Sequence, residues 1–367
     1  MKIRAYADLH LFYSRQDMER YWNTELRELI ENLENDSPDM LVFCGDLCHI
    51  PYKNDDIRFI KTLQFMREVI EICRKKKIIF RQIRGTSTHD GEIITILKSV
   101  FQEDDLVRFY PNLTYEYFPK YDLTIRFLPE PYYDVYSKFK NDITQRPCDI
   151  TFFHGTVDRC IPMLKQTDNV TNLPKSVLIK YEDIMEGNSM FVAGGHIHKH
   201  INIDDRFFYI NSLTTHNFSD INNIKGYMEF EINPDKSFIS KYISNYEAPK
   251  YLDFLIEDIH LKSKEEIKSI IGNIILAYDS KDKIRFNIKG LLTPEATSNV
   301  SYIQTLMRRY DIKVKFDYEE VEEVLDDDSY ENEYFSDPSI SIVSKIKKLM
   351  EIEYPEIQES EIKSMIK

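Results

Sequence analysis

Five short apolar runs punctuate the first 200 residues, each bounded by polar positions: "KIRAYA" (2–7), "MLVFC" (40–44), "KIIFRQIR" (77–84), "DITFF" (149–153) and "MFVAG" (190–194). Runs of this length, rich in β-branched and aromatic residues, read as buried strands. Between the first three the period changes. "MERYWNTELRELIENL" (18–33) places Met18, Tyr21, Trp22, Leu26, Leu29, Ile30 and Leu33 at helical spacing, and "IRFIKTLQFMREVIEIC" (57–73) does the same with Ile57, Ile60, Leu63, Met66, Ile70 and Cys73. Strand alternating with helix predicts an α/β layered fold. "LVRFYPNLTYEYFPKYDLTIRFLP" (106–129) alternates as β-hairpins do, and "RFFYINSLTT" (206–215) and "GYMEFEI" (226–232) look similar. The expected core is therefore a mixed sheet or a two-sheet sandwich.

The pattern shifts after about residue 248. "KYLDFLIEDI", "SKEEIKSIIGNIILAYDSKD" and "KIRFNIKG" predict strand, helix and strand of a small α+β domain. "DYEEVEEVLDDDSYENEYFSD" (317–337) is acidic with no core pattern and reads as a solvated linker. The tail returns to helical spacing through Ile340, Ile342, Val343, Ile346, Leu349 and Met350. Such an amphipathic helix docks either on a partner or on its own chain. The expected division is a main domain over 1–245, a small α+β domain over 246–316, a linker over 317–337 and a helical tail over 338–367. There are no internal repeats.

Composition narrows the class. With 367 residues, 42% hydrophobic and 30% charged, the chain has the profile of a soluble globular protein large enough for a main and a smaller domain. No run approaches the roughly 18 apolar residues of a membrane span, and "MKIRAYADLH" is too polar for a signal peptide. Five scattered cysteines without a CxxC pair predict free thiols in a reducing, cytoplasmic compartment. A net charge of -14 argues against a protein that coats nucleic acid diffusely. It leaves room for a DNA enzyme, since bound cations and local basic patches supply phosphate attraction.

Chemistry gathers after the strands. Asp8 and His10 follow the first, Gly45-Asp46 and then His49 the second, and "GTSTHDGE" with Thr86, Ser87, Thr88, His89 and Asp90 the third; His154-Gly155 ends the fourth, and His196 and His198 follow the fifth. In α/β sheets, ligands bind in the crevice beyond the carboxyl ends of the strands. Imidazole and carboxylate together favour manganese, iron or zinc over calcium. Residues i and i+2 of an extended segment face one side, so Asp8 with His10, and His196 with His198, can each reach a common site. Two metals roughly 3.5–4 Å apart clamp a phosphoryl group and activate water. His49 is read as lining the cleft, packing or capping; His200 as a possible substrate contact; His216 and His260 as ordinary. Arg81, Arg84, Lys199 and Arg206 are candidate DNA contacts, and Tyr132 and Tyr133 candidate base-stacking residues.

The series DxH, GD, a histidine-aspartate motif, a lone histidine and GHxH resembles the calcineurin-like metallophosphoesterase superfamily over roughly residues 1–215. More narrowly, "GDLCH", "GGHIHKH" followed by "FYINSLT", the small domain and the acidic linker with its tail look like the SbcD-type nuclease of double-strand-break repair, phage-encoded relatives included. The resemblance implies a four-layer sandwich of two mixed sheets flanked by helices, a small capping domain and a C-terminal helical tail. It implies two divalent ions, manganese first, with magnesium, iron and zinc as alternatives. Asp8, His10, Asp46 and His198 would hold one ion, and Asp46, His154 and His196 the other. His89 would be the catalytic histidine, oriented by a hydrogen bond from its ring to Asp90. Where the family has asparagine before that histidine, this chain has Thr88 as the candidate second-ion ligand, through its hydroxyl or backbone carbonyl or with a water in that position, in a loop two residues longer, which puts the second ion's affinity in question. The implied activity is exonuclease and endonuclease hydrolysis of DNA phosphodiesters. The implied partners are DNA, an SbcC-type SMC-like ATPase and a second copy of the chain, in the cytoplasm (the host's, if phage-encoded). Two other readings stand beside it: a small-molecule phosphodiesterase or phosphatase of the same superfamily, and a non-catalytic subunit that senses DNA ends.

Overall fold

The computed structural model describes residues 1–130, 136–144, 146–162, 178–221, 223–279, 281–307 and 313–319. Tyr132, Tyr133, the linker from 320 onward and the helical tail lie outside these residues. Two six-stranded mixed sheets form the main body. In the first, β1 (Lys2–Tyr6), β2 (Met40–Cys44), β3 (Ile79–Ile83) and β4 (Val107–Tyr110) run parallel, and β11 (Gly226–Ile232) and β12 (Phe238–Ser244) extend the other edge antiparallel, giving the order β12-β11-β1-β2-β3-β4. The second sheet comprises β5 (Thr114–Phe118), β6 (Leu123–Leu128), β7 (Cys148–His154), β8 (Asn188–Gly195), β9 (Ile201–Ile203) and β10 (Phe207–Tyr209) in the order β5-β6-β7-β8-β10-β9. Its four central strands are parallel and both its edges antiparallel.

Alternation along each strand sorts side chains into layers. Ile3, Ala5, Val42 and Ile83 on one sheet share a buried cluster with Ile125, Phe127, Ile150, Phe152 and Phe191 on the other. On the outer side of the first sheet, Leu41, Phe43 and Phe80 pack with Leu26, Leu29, Phe65, Met66 and Val69. These come from a continuous helix (Met18–Tyr21, Trp22–Leu26, Arg27–Asn35), whose middle segment is π, and from Ile57–Lys76. Phe153, Val192, Phe207 and Tyr209 on the far side of the second sheet pack with Ile143 and Ile184 of Tyr136–Thr144 and Tyr181–Met185. Each fully buried side chain of this kind contributes roughly 1.5–3 kcal/mol.

The expectation of hairpins over 106–129 is half right. β5 and β6 pair antiparallel, but β4 is the parallel edge of the first sheet and β5 the edge of the second, so the chain changes sheets at 111–113. Arg81 belongs to the frame and is no surface contact for DNA. It is 1% exposed, bonds Glu116 through Nε (2.7 Å) and Nη2 (2.7 Å), and donates to the carbonyls of Phe80, Asp105 and Leu106. Arg206 is exposed, and its guanidinium donates to the carbonyls of Met190 and Asn188.

The third sheet is parallel: β13 (Tyr251–Ile256), β14 (Lys283–Leu291) and β15 (Lys313–Glu319). Helix Lys264–Ala277, opened by a Ser263–Glu266 capping box, and helix Pro294–Met307 share its core of Ile256, Ile267, Ile271, Phe286, Ile288 and Ile303. β15 takes in residues 317–319, so the sheet reaches three residues into the segment expected to be linker. This unit meets the main body where Lys283 Nζ lies 3.3 Å from Asp17 Oδ1, where Arg285 stacks on Phe218, and where the Tyr251 hydroxyl donates to the His216 carbonyl at 3.3 Å. Among the described residues no helix is long and apolar enough to cross a membrane.

Candidate metal centre

The loops after β1 and β2 run side by side. The amides of Asp8, His10 and Leu11 donate to the carbonyls of Gly45, Asp46 and Leu47 at 3.2, 3.0 and 2.7 Å. Asp8, His10, Asp46 and His196 all have positive φ (50°, 42°, 48° and 97°). Non-glycine residues adopt this region at a cost and hold it only where the surroundings over-determine it. Gly45, at φ 82°, is required here, because a Cβ would strike the His154 ring; a Cβ at Gly85 would strike the Asp46 amide and Oδ1. The His196 amide donates to both Asp8 carboxylate oxygens, at 2.8 and 3.0 Å, which ties the end of β8 to that of β1.

Three imidazoles are oriented in the same way. Nδ1 of His10 meets the Cys48 carbonyl at 3.2 Å, that of His154 the Cys44 carbonyl at 2.8 Å, and that of His89 the His49 carbonyl. A carbonyl only accepts, so Nδ1 carries the hydrogen and, in a neutral ring, Nε2 presents a lone pair. All three Nε2 atoms face Asp46: His154 at 3.2 Å from Oδ1, His10 at 3.8 Å and His89 at 4.0 Å from Oδ2. His10 Nε2 also faces His198 Nε2 at 2.9 Å. Lone pairs crowded onto a buried carboxylate need a cation between them. Without a metal, a proton serves: burial opposes charge on His154, but the Asp46 and Asp8 carboxylates outweigh it and raise the ring to about 10. Burial also works against the Asp46 charge, and the surrounding histidines, His154 above all, hold its carboxyl well below the ordinary range. Burial lifts Asp8 to about 7 and lowers His196 to about 4, and it keeps His10 and His198 neutral well below 6.5.

The structure therefore brings Asp8, His10, Asp46, His154, His196 and His198 together. Ligand atoms of Asp8, His10 and Asp46, and of Asp46, His154 and His196, lie within 4.8 Å of one another, and Asp46 is common to both groups. These groups could hold a metal ion, and the donor set suits one. Two expected placements need correction. Thr88 is exposed on the short turn Ser87–Asp90 and is not the residue at the second group; Thr86 is. The Thr86 hydroxyl lies 3.4 Å from Asp46 Oδ2 and 3.3 Å from both His154 Nε2 and His196 Nδ1, while its amide donates to Asp46 Oδ1 at 2.6 Å. Asp90 does not orient the His89 ring. Its buried carboxylate accepts from the amides of Gly85 (2.6 Å) and Cys48 (3.1 Å), and so clasps the two loops on either side.

Sequence reasoning passed over His216 and Glu130. His216 joins His10 and His198, and His49 joins His10 and His89, each trio within the same 4.8 Å. Glu130 is buried just beyond β6, with Oε1 4.0 Å from His196 Nδ1. The strand-end signal that found the others covers both positions, since β6 and β10 are parallel members of the second sheet. His200 is engaged elsewhere, donating Nδ1 to the Tyr209 carbonyl and stacking on Tyr242. His260 lies in the small domain, where its Nδ1 accepts from the Leu291 amide. Arg84 and Lys199 are half-buried near the cluster, and all five cysteines are free and buried. No family model and no curated protein matches this chain, so its functional reading rests on the geometry above.

Proposed function

We propose that this chain is a metal-dependent phosphodiesterase acting on DNA, an SbcD-type nuclease subunit whose two facing sheets and flanking helices form the metallophosphoesterase sandwich. The observation that carries this reading is the set of three carbonyl-anchored imidazoles, His10, His89 and His154, whose Nε2 atoms all face Asp46. Asp8, His10, Asp46 and His198 would hold one divalent ion, and Asp46, His154 and His196, with the Thr86 hydroxyl, a second. Bound ions, manganese first among manganese, magnesium, iron and zinc, supply Lewis acidity and an activated water for attack at phosphorus.

The chain's own residues do the rest. His89 is the half-exposed member of the cluster, its side chain 31% accessible. With Nδ1–H held by the His49 carbonyl, its Nε2 is the atom that takes up a proton and delivers it to the leaving oxygen. Asp90 holds the Gly85 and Cys48 amides, and with them the loop that carries His89. The tail at 338–367 is assigned to an SbcC-type ATPase, and a homodimer is the proposed assembly.

The test is cleavage of linear duplex DNA by purified protein with manganese. Cleavage should appear with manganese, vanish with EDTA and vanish in Asp46→Asn. Folded, metal-loaded protein that leaves DNA intact with and without the ATPase overturns the proposal. Thr86 favours a second reading, a DNA-end-binding subunit without cleavage, since a hydroxyl binds a metal more weakly than the family's amide oxygen. Metal analysis separates the two: a nuclease takes up two ions per chain, a binding subunit one or none.

A further inference from the structure

We propose that His216 is a further ligand of this centre, so that His10, His198 and His216 form a three-imidazole face that selects nitrogen-preferring ions such as zinc, cobalt or iron(II) over magnesium. This rests on the metal-dependent reading above and adds to it a residue and a metal class.

His216 is 8% exposed, and neither of its ring nitrogens has a hydrogen-bond partner, although both are buried. Everything else about the residue is held. Its amide donates to Asp220 Oδ2 at 3.1 Å, and its carbonyl accepts from the Tyr251 hydroxyl. The preceding loop is pinned from several sides: Ser212 bridges to Ala7 next to Asp8, the Thr214 hydroxyl donates to buried Glu25 at 2.8 Å, and the Asn245 amide donates to the Leu213 carbonyl at 2.7 Å. Glu25 sits in the π segment of the first helix, a distortion that often marks functional sites. A loop held this firmly aims a ring that lacks only a partner, and a buried polar group left unsatisfied costs about 1–3 kcal/mol.

The ring faces the cluster, with centroids 4.7 Å from His10 and 5.3 Å from His198, and Tyr13 closes its other side at 4.9 Å. His10 offers it no proton, since its Nδ1–H is directed at the Cys48 carbonyl and its Nε2 faces His198. The three ligand atoms lie within 4.8 Å of one another. Metal–nitrogen bonds of about 2.1 Å put two ligands on one ion up to about 4.2 Å apart, so a shift of under about 1 Å closes the trio. Imidazole suits zinc, iron and their neighbours, whereas magnesium demands oxygen and keeps its waters.

The experiment is titration of full-length, EDTA-stripped protein with Co2+ and Zn2+, followed by calorimetry and the visible absorption of bound cobalt. His216→Gln should weaken both ions by about tenfold or more, alter the cobalt spectrum and lower the zinc-over-magnesium preference, while its metal-free melting matches wild type. His200→Gln should behave as wild type. A folded His216→Gln protein with wild-type affinity and spectrum overturns the inference. Should that variant not fold, X-ray absorption of wild-type protein carrying one equivalent of zinc decides: three imidazoles on the ion support the inference and two overturn it. Wild-type protein that takes up no cobalt, zinc or manganese overturns this inference and the metal-dependent reading together, whereas a two-imidazole count overturns this inference alone.

Discussion

At the scale of single residues, the segment from Gly85 to Asp90 departs furthest from what the sequence resemblance implies. The short turn Ser87–Asp90 carries Thr88 outward and leaves Thr86 facing Asp46, His154 and His196. Chain adjacency to His89 is the cue available in sequence, and a turn of helix makes it misleading. Thr86→Asn should restore an amide oxygen at this point and tighten uptake of the second ion, read as a lower Kd for the weaker manganese site; an unchanged Kd would remove Thr86 from the centre. Asp90 is a clasp between loops. In Asp90→Ala the buried amides of Gly85 and Cys48 lose their acceptor at about 1–3 kcal/mol each. The midpoint of urea unfolding should therefore fall, with a loss of roughly 2–6 kcal/mol.

Among the elements, the parallel strands were legible because buried strands read as continuous apolar runs, and their ends pointed to six of the clustered residues. The sheet each strand joins was not legible. β4 and β5 have similar composition, and the change of sheet between them follows from packing of distant segments, which local periodicity does not encode. The 206–215 segment has a hairpin-like pattern, yet its strand β10 pairs parallel with β8, and this carries the 210–216 loop, and His216 with it, to the site edge. Arg81 differs for a related reason: its charge suggests a surface, while its place on β3 puts it against Glu116 of β5, joining the two sheets. Removing one partner of a buried pair costs about 3–5 kcal/mol. Arg81→Met should show a loss of that size in equilibrium unfolding, with DNA cleavage by the remaining folded protein unchanged. A stable variant with weakened DNA binding would return Arg81 to the surface role.

For the whole molecule, the centre links strand ends from both sheets, so an ion there joins the two halves of the sandwich. An ion at 100 times its Kd adds about 2.7 kcal/mol to folding. EDTA should therefore lower the melting temperature of manganese- or zinc-loaded protein. Imidazole must be unprotonated to ligate, so protons compete with the metal. The Asp46 and Asp8 carboxylates keep His154 protonated up to about 10 in the metal-free protein, so an ion must displace that proton. The EDTA-sensitive increment in melting temperature should therefore grow as pH rises from neutral towards about 10; an increment flat over that range would remove His154 from the ligands. The Tyr251 hydroxyl on the His216 carbonyl extends this coupling to the small domain. An ion that steadies His216 steadies the strand beginning at Tyr251, and linkage is reciprocal. Under the proposed reading, a load on residues 251–319 would be felt at the centre as a looser or tighter grip on the cation, and the small domain would serve as a strain gauge for it.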